Sequence, residues 1–482
     1  MKKLLLTASP VTLRGVENFA RMPNLGLASI AGNINRNTTL PRVADLAAAP
    51  GCPEKFLMRI ISEFQPDIVG FSAMTFQYQN TLYMVRKVKQ FYPDIITFLG
   101  GYHATAAYRE ISSSADMDFF DFIVRGEGEI SVRELIDKLD SSGNDFSSIA
   151  GISFRNESGK IIHTPERVPA DLAEISLPDR EARILSKGFY FLGGKADVVE
   201  TSRGCVFNCG YCSIKCMYGS TFRKFPVERV IADLKQLKAN DVEFVMLADD
   251  NITLDPERFI RLCCRIKEEG LDSLGYIIQT GVKTLLSRPE LPEIMTDAGM
   301  KYIFLSLDDP DSPAADFFNT QEFRKDDAFR LIRELRSRGA MVMGGCVIGA
   351  PRETEKSLMD TYRFIGKTGV DAVAFLILIP YPGTPVRASL MEKNLITNLS
   401  DYSRYTHEYA NIRTHGLSSE RLAIIVERMN VRYMFEYNSI WRFILKFPIH
   451  IFKRFLVEIL HSPKRIMKRG IAFCSGLLSR LS

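Results

Sequence analysis

The sequence predicts an α/β protein in which a doubly wound, Rossmann-like sheet is followed by a partial (βα)6 TIM barrel and a C-terminal helical extension. First, short apolar runs alternate with helix-like segments from the N-terminus to about residue 140. Second, the alternation resumes after Asp197 with a longer period, through six units. Buried strands separated by helices indicate parallel sheets that are covered on both faces. We therefore expect domains over 1–140 and 191–390, a connector over 141–190, and a helical cap with a basic tail over 391–482.

Composition excludes several classes of protein. Hydrophobic residues make up 46% and charged residues 25% of the 482-residue chain, which is an ordinary globular balance. Nine cysteines are too few and too unevenly spaced for a disulfide framework, so we expect a reducing, cytoplasmic location. The first six residues resemble a signal peptide, but Ser9 and Pro10 end the apolar run, which indicates a buried strand instead.

The positive charge is concentrated in the C-terminal tail. The whole chain has a formal charge of +5, but Ile440–Ser482 contains nine Lys or Arg residues and one acid, Glu458. The rest of the chain is therefore slightly acidic, which argues against a nucleic-acid-binding body. Charges interrupt every apolar stretch of the tail well before the ~18–20 residues that a membrane span needs. The tail fits either a basic amphipathic segment on an anionic membrane, such as the inner membrane, or a solvated helix packed on the barrel.

The elements of the first domain follow in order. They are strand Leu4–Thr7, helix Leu25–Asn33, strand Val43–Leu46, helix Glu54–Glu63, strand Asp67–Ser72, helix Thr81–Gln90, strand Ile95–Leu99, strand Phe120–Val124 and helix Ile130–Leu139. The connector contains a predicted hairpin, Ile152–Arg155 with Lys160–His163. The second domain has predicted strands at Asp197–Thr201, Phe244–Leu247, Tyr276–Thr280, Tyr302–Leu307, Met341–Ile348 and Ala372–Leu378. Helices between them include Val227–Ala239, Pro256–Glu269, Asp327–Arg338 and Glu353–Lys367.

Loops at the carboxyl ends of the first-domain strands carry the candidate ligand-binding residues of that domain. In open parallel sheets, ligands sit beyond these strand ends. Glycines there allow close approach of the backbone, and hydroxyl groups can bond an amide or phosphate. Each loop alone is also ordinary turn chemistry, and a GxGxxG dinucleotide motif is absent after the first strand. The candidates are Ser72, Thr75, Gly100, Gly101, His103 and Gly126.

Three cysteines, Cys205, Cys209 and Cys212, fall within eight residues after the first strand of the second domain. Thiolates are the usual ligands of iron–sulfur clusters, and three of them leave one corner of a four-iron cluster open. A zinc site would normally use paired CxxC ligands that close a tetrahedron. A closed ferredoxin-like cluster with Cys216 is a further alternative, but the first gap and the missing proline do not match that pattern. Buried structural thiols are the remaining alternative.

Acidic residues gather at the strand ends of the second domain, where the active site of a TIM barrel faces. Asp249 and Asp250 follow the second strand, Asp308 follows the fourth, and Glu353 follows the fifth. Any one of them could be a cap or turn residue, but their common placement favours a site.

These motifs resemble a known combination of domains. The CxxxCxxC motif followed by βα units resembles the radical S-adenosylmethionine (SAM) superfamily. The run from Pro93 to Thr105 and the segment Ile123-Val-Arg-Gly-Glu-Gly-Glu129 resemble the cobalamin-binding domain that precedes many radical SAM modules. Residues 1–437 together resemble the anaerobic Mg-protoporphyrin monomethyl ester oxidative cyclase family and its cobalamin-dependent methyltransferase relatives, which act on bacteriochlorophyll precursors or hopanoid lipids.

The resemblance implies three cofactors and a site for each. It implies that Cys205, Cys209 and Cys212 hold a [4Fe-4S] cluster whose open iron binds SAM. The four acids at the barrel strand ends would orient SAM, and the six loop residues of the first domain would contact cobalamin. The chain departs from the family at two points. No DxHxxG motif follows the first strand, so we expect base-off cobalamin without a histidine ligand. Aspartates also stand where the family has glycine–acid and Glu-Ser motifs.

The resemblance also limits the function. It implies transfer of a methyl group to an unactivated carbon of a hydrophobic substrate, either a bacteriochlorophyll-type tetrapyrrole or an isoprenoid lipid. The alternatives are an oxidative cyclase that uses the same cofactors and a non-enzymatic cobalamin sensor or scaffold. A one-electron donor such as flavodoxin or ferredoxin is an expected partner, and nucleic acid is not. The sequence identifies no residue that abstracts or relays protons.

Overall fold

A computed structural model of the chain describes residues 1–10, 19–140, 145–320 and 323–437. Strands and helices alternate along both halves of the chain. The strands are β1 (Lys2–Ala8), β2 (Ala20–Arg21), β3 (Thr39–Asp45), β4 (Ile68–Ser72), β5 (Ile96–Gly100), β6 (Phe122–Val124), β7 (Ile152–Arg155), β8 (Ile161–His163), β9 (Tyr190–Phe191), β10 (Gly194–Val199), β11 (Ser202–Arg203), β12 (Arg223–Lys224), β13 (Phe244–Leu247), β14 (Gly275–Gly281), β15 (Tyr302–Ser306), β16 (Met341–Ile348) and β17 (Ala372–Ile377).

The helices lie between these strands and cover the sheets. They are α1 (Leu25–Gly32), α2 (Pro53–Phe64), α3 (Tyr78–Phe91), α4 (Tyr102–Ser112), α5 (Gly128–Asp140), α6 (Ile214–Tyr218), α7 (Val227–Ala239), α8 (Pro256–Glu268), α9 (Val282–Leu285), α10 (Leu291–Asp297), α11 (Pro313–Phe318), α12 (Lys325–Ser337), α13 (Glu355–Thr368), α14 (Pro385–Glu392) and α15 (Ser419–Glu436).

The first sheet has the strand order β3-β1-β4-β5-β6-β7-β8. Strands β3 to β6 pair in parallel. Alternate residues of β1 enter different cores, because successive side chains of a strand point to opposite faces. Leu5 packs in a core with α2, α3 and α4, whereas Leu4 and Leu6 pack in a core with α1 and α5. The sheet is therefore covered on both faces, which confirms the doubly wound prediction.

The hairpin formed by β7 and β8 extends the first sheet. The sequence assigns this hairpin to the connector, but β7 pairs antiparallel with β6 through Ile152 and Val124. Part of the predicted connector is thus bonded to the first domain. Between β8 and β9 the chain makes a 3-10 turn at Leu172–Glu174 and a single parallel bridge from Arg183 to Val43 of β3.

The second sheet contains β10, β13, β14, β15, β16 and β17, adjacent to one another in chain order and all parallel. This arrangement confirms the six βα units and places all carboxyl strand ends on one face. The outer edge of β10 is extended by antiparallel pairing with β9, which pairs in turn with β2. Because Ala20–Arg21 precedes most of the first sheet in the chain, the first domain contributes a strand to the second sheet.

Helix α4 corrects the sequence analysis, which placed Gly100–Thr105 in a loop. The helix begins at Tyr102, directly after Gly101, whose φ of 92° is a conformation that favours glycine. A Gly-Gly pair usually marks a turn, but here it is the junction between β5 and the helix. His103 therefore lies in the first turn of a helix.

The C-terminal region is less helical than predicted in its described part. Between α14 and α15 the chain has only a short 3-10 turn, and Tyr402 in this turn donates a hydrogen bond of 2.6 Å to Glu110 of the first domain. Tyr402 and Tyr405 join the core that contains α3 and α4. Helix α15 packs on β17, where the Asn430 side chain bonds the backbone of Phe375. The basic tail lies outside the described residues, and within them no helix has the length and hydropathy to cross a bilayer.

Candidate cofactor-binding site

The cysteine loop begins at a fixed turn after β11. Gly204 has a φ of 86°, and a Cβ there would collide with the carbonyl group of Thr221. Its amide donates a 3.0 Å hydrogen bond to the Asp250 carboxylate. In the middle of the loop, Gly210 donates to the Phe318 carbonyl over 2.7 Å and accepts from the Val386 amide over 3.1 Å. The loop is thus held at its start and in its middle.

The thiols of Cys205, Cys209 and Cys212 lie in this loop, half-buried and without disulfide bonds. Burial raises the pKa of Cys209 to about 12, and the neighbouring Cys212 thiol contributes a smaller effect in the same direction. Burial also raises the pKa of Cys212 to about 11. Bound metal reverses this preference, because a coordinated thiol loses its proton.

The three thiols lie close to one another. Cys205 and Cys212 are near enough to raise the pKa of Cys209. In a cubane cluster each thiolate binds a different iron, so three thiols of one anchored loop suit such ligation. That Cys205, Cys209 and Cys212 hold the cluster stays a prediction.

Cys216 lies outside the loop, on helix α6. Its thiol is 3.9 Å from the Pro382 carbonyl oxygen and packs against Gly383, where a Cβ would stand 3.1 Å from the sulfur. Cys216 therefore contacts the segment after β17. That Cys216 does not ligate iron stays a prediction.

Asp249 and Asp250 have different surroundings. Asp249 is buried and accepts hydrogen bonds from the Thr201 amide at 3.2 Å, from the Thr201 hydroxyl at 2.7 Å and from the Ser202 hydroxyl. These three hydrogen bonds hold the turn before the cysteines, so Asp249 has less capacity for a ligand. Within the described part of the chain, Asp250 accepts a hydrogen bond only from the Gly204 amide, and burial raises its pKa to about 6. Of the two predicted SAM ligands, Asp250 has the greater capacity left for a ligand.

Asp308 and Glu353 follow later strands of the barrel. Asp308 is half-buried, accepts from the Val347 amide at 2.9 Å, and lines a cavity of about 30 Å³ together with Cys209 and Tyr211. Burial raises its pKa to about 6. One oxygen of Glu353 accepts from the amides of Gly349 and Ala350, and its other oxygen has no hydrogen-bond partner among the described residues. Burial raises the pKa of Glu353 to about 7.

A cavity of about 400 Å³ lies where the two domains meet. Four of the six predicted first-domain residues line it: Ser72, Gly100, Gly101 and Gly126. It extends over the face of the first sheet that carries Phe98 and Leu6, below α1 and α5. A large group can lie against this face because glycines leave the backbone uncovered. The opposite wall comes from the second domain, through Val198, Glu200, Arg203, Met217, Tyr218, Met246 and Ala248.

Two family models match the two domains. Residues 16–136 match the B12 binding domain, and residues 199–365 match the Radical SAM superfamily. The chain is an enzyme that combines a B12 binding domain with a Radical SAM domain. This combination contradicts the sensor or scaffold alternative, and it confirms the predicted fold.

Relatives named as methyltransferases or methylases and a relative named as a cyclase all match most of the chain. An uncharacterized methyltransferase of Pyrococcus horikoshii is 28% identical over 416 residues, which cover 85% of this chain and 87% of the relative. An anaerobic magnesium-protoporphyrin IX monomethyl ester cyclase of Rubrivivax gelatinosus is 26% identical and covers 81% of this chain and 70% of the relative. A hopanoid C-3 methylase of Methylococcus capsulatus is 25% identical, covering 90% and 80%.

The fold is that of a solved radical SAM methyltransferase. TsrM from Kitasatospora setae, solved with tryptophan and a SAM analogue bound, superimposes with a TM-score of 0.68 and 15% identity over 89% of each chain. Another structure of TsrM contains cobalamin and a [4Fe-4S] cluster. The B12 binding and Radical SAM domains confirm the predicted cofactor set of cobalamin, SAM and a [4Fe-4S] cluster.

Two predicted residues of the B12-binding domain do not reach the cavity. Thr75 is buried in a 3-10 turn after β4. The His103 ring lies between Tyr78 and Tyr402, with centroid distances of 4.3 and 4.7 Å, and neither ring nitrogen has a hydrogen-bond partner among the described residues. Burial lowers the pKa of His103 to about 3, so the ring is neutral. Helix α4 instead presents Tyr102 to the cavity.

Sequence reasoning missed the charged residues at the domain boundary. Arg203 of the radical SAM domain forms ion pairs with Glu127 and Glu129 of the B12-binding domain, at 2.7 and 2.6 Å, and with Glu200 at 2.9 Å. Burial raises the pKa of Glu200 to about 7. The Gly-Glu-Gly-Glu segment and the arginine before the cysteines were visible signals, but nothing in the sequence indicates that they pair.

Proposed function

We propose that this enzyme is a cobalamin-dependent radical SAM methyltransferase that adds a methyl group to an unactivated carbon of a hydrophobic substrate, of the tetrapyrrole or isoprenoid-lipid class. Membership of the radical SAM methyltransferase group is supported by the two domains and by relatives named as a methyltransferase and a methylase. The substrate class is the finer part of the proposal. It is supported by the named substrates of the cyclase and the hopanoid methylase, a magnesium porphyrin and a lipid.

The position of the 400 Å³ cavity carries this proposal. Arg203 and Met217 line the cavity, and both belong to the short segment that contains the three cysteines. The second-domain wall of the cobalamin cavity and the cysteine loop thus share one continuous segment of the chain. A substrate at this boundary could meet both cofactor sites without dissociating.

The residues of the chain bind and orient the cofactors and the substrate, and they exclude water from the site. When bound, the cofactors supply a radical that removes hydrogen from carbon and a methyl group that the carbon accepts. Asp250 and Asp308 both lie close enough to the thiols to affect their pKa values. Their carboxylates can accept N–H bonds from the ammonium group of a SAM molecule bound beside the cluster.

Labelled SAM tests methyl transfer. Reconstituted enzyme supplied with SAM carrying a deuterated methyl group, under anaerobic conditions, should release 5′-deoxyadenosine and S-adenosylhomocysteine in roughly equal amounts. The substrate should gain the labelled methyl group, because one SAM provides the radical and another the methyl. Mass spectrometry measures all three species.

The oxidative cyclase is the second candidate, since a cyclase relative matches 81% of this chain. It predicts 5′-deoxyadenosine without S-adenosylhomocysteine and a product that gains a ring or oxygen but no label. That outcome would replace methyl transfer as the assignment.

Two partners belong to the same proposal. We propose a cytoplasmic enzyme that receives single electrons from a flavodoxin or ferredoxin and contacts the inner membrane surface through Ile440–Ser482. The support for membrane contact is the tail's nine basic residues and its aromatic residues, together with a hydrophobic substrate.

A further inference from the structure

The domain boundary contains one buried guanidinium that is shared by three carboxylates. The side chain of Arg203 is 5% exposed, and its three nitrogens each contact a different glutamate, Glu127, Glu129 or Glu200, within 2.9 Å. The Ser29 hydroxyl donates a further bond of 2.7 Å to Glu129. All these contacts are charge-assisted, and the guanidinium fork fixes their geometry.

The partners of Arg203 belong to the wall of the cobalamin cavity. Glu127 and Glu129 flank Gly128 at the start of α5, and all three residues line the cavity. Glu127 is also bonded by Arg223 of β12, the strand that pairs with β11. The ribbon formed by β11 and β12 therefore holds the cavity wall with two arginines.

Arg203 is equally part of the cluster loop. It lies two residues before Cys205, and the intervening Gly204 is fixed by its bond to Asp250. Movement of the cysteine loop therefore displaces the guanidinium, and movement of the cavity wall displaces its carboxylates. Removing one partner from such a buried group is strongly unfavourable.

We propose that Arg203 is a positioning residue that joins the cluster loop to the cobalamin cavity, so that filling either cofactor site strengthens binding at the other. Both cofactors order the same small set of residues. The conformational entropy of ordering that set is lost only once, when the first cofactor binds. The coupling is independent of which substrate is methylated.

Cobalamin titrations of the full-length protein test the coupling. Hydroxocobalamin is titrated anaerobically into cluster-loaded and cluster-free protein, and the dissociation constants are compared. In the unaltered protein the cluster should tighten cobalamin binding about fivefold or more, the usual lower bound of a coupling between sites. In Arg203→Gln the ratio should fall below about twofold, while iron still binds because all three thiols remain.

Matched variants separate positioning from general damage. Arg203→Lys keeps the charge but loses the fork, so it should restore part of the ratio. Arg183→Gln removes an equally buried arginine, 6% exposed and paired with Asp197, and neither residue of this pair lines the cavity, so the ratio should be unchanged. If Arg203→Gln does not fold, Glu129→Gln weakens the same contact from the other domain and should lower the ratio. A ratio near one in the unaltered protein, or an unchanged ratio in Glu129→Gln and Arg203→Gln, would overturn the proposal.

Discussion

Replacing Gly100 by leucine should block the cobalamin cavity without unfolding the protein. Gly100 ends β5 and lines the cavity, on the same face of the strand as Phe98. A Cβ at this position would meet only backbone oxygens at 3.9 and 4.0 Å, which is ordinary contact. The backbone does not need a positive φ here, so a side chain is tolerated and projects into the cavity.

The expected loss follows from overpacking. Forcing extra methylene groups into a filled site costs about 1–3 kcal/mol, which corresponds to a dissociation constant about 5- to 150-fold higher. Gly100→Ala adds a single carbon and should have a smaller effect. Iron content should be unchanged, because the three thiols lie in the other domain.

The assay is anaerobic titration of hydroxocobalamin, with iron per chain and melting temperature measured on the same samples. Gly416→Leu is the matched control, since that glycine is exposed and a Cβ there meets nothing within 4 Å. If Gly100→Leu melts normally and binds cobalamin as tightly as the control, the cavity is not the cobalamin site and the assignment fails.

Three further predictions concern the cysteines and the tail. Cys205→Ala should abolish SAM cleavage, measured as 5′-deoxyadenosine release, while cobalamin still binds because most of its cavity comes from the first domain; loss of both in a folded variant would count against separate sites. Cys216→Ala should keep its iron and activity, since its thiol contacts the segment after β17; loss of iron would favour a closed cluster. Deleting Ile440–Ser482 should release the protein from anionic vesicles in a sedimentation assay without changing SAM cleavage, and equal vesicle binding by both forms would end the membrane hypothesis.

The parallel strands and the long helices between them were the most predictable parts of the fold. The limits of β13 and β16 agree with the sequence prediction to the residue, because a short, buried apolar run leaves little choice of structure. Helix α4 was missed because the Gly-Gly pair before it resembles a turn, and the following residues were assigned to that turn. His103 was misplaced for the same reason.

Site residues could be located by strand end but not by role. Asp249 and Asp250 are adjacent in sequence, yet the first accepts three hydrogen bonds and the second accepts one. That difference depends on Thr201 and Ser202, which approach only after the turn folds. Arg203 was missed because two of its partners, Glu127 and Glu129, lie more than seventy residues away along the chain. The spacing of apolar residues predicts helices and strands, but it does not predict which residues of two domains make contact.

The exchange of segments between the domains has a consequence for how the molecule comes apart. Ala20–Arg21 leaves the first domain to complete the edge of the second sheet, and Tyr402 returns from the far end of the chain to the core of the first domain. Each half of the molecule thus contains a segment contributed by the other half. Separating the two halves would therefore uncover the β9 edge of the second sheet and remove Tyr402 from the core of the first domain. Each half should be less stable alone than in the intact chain.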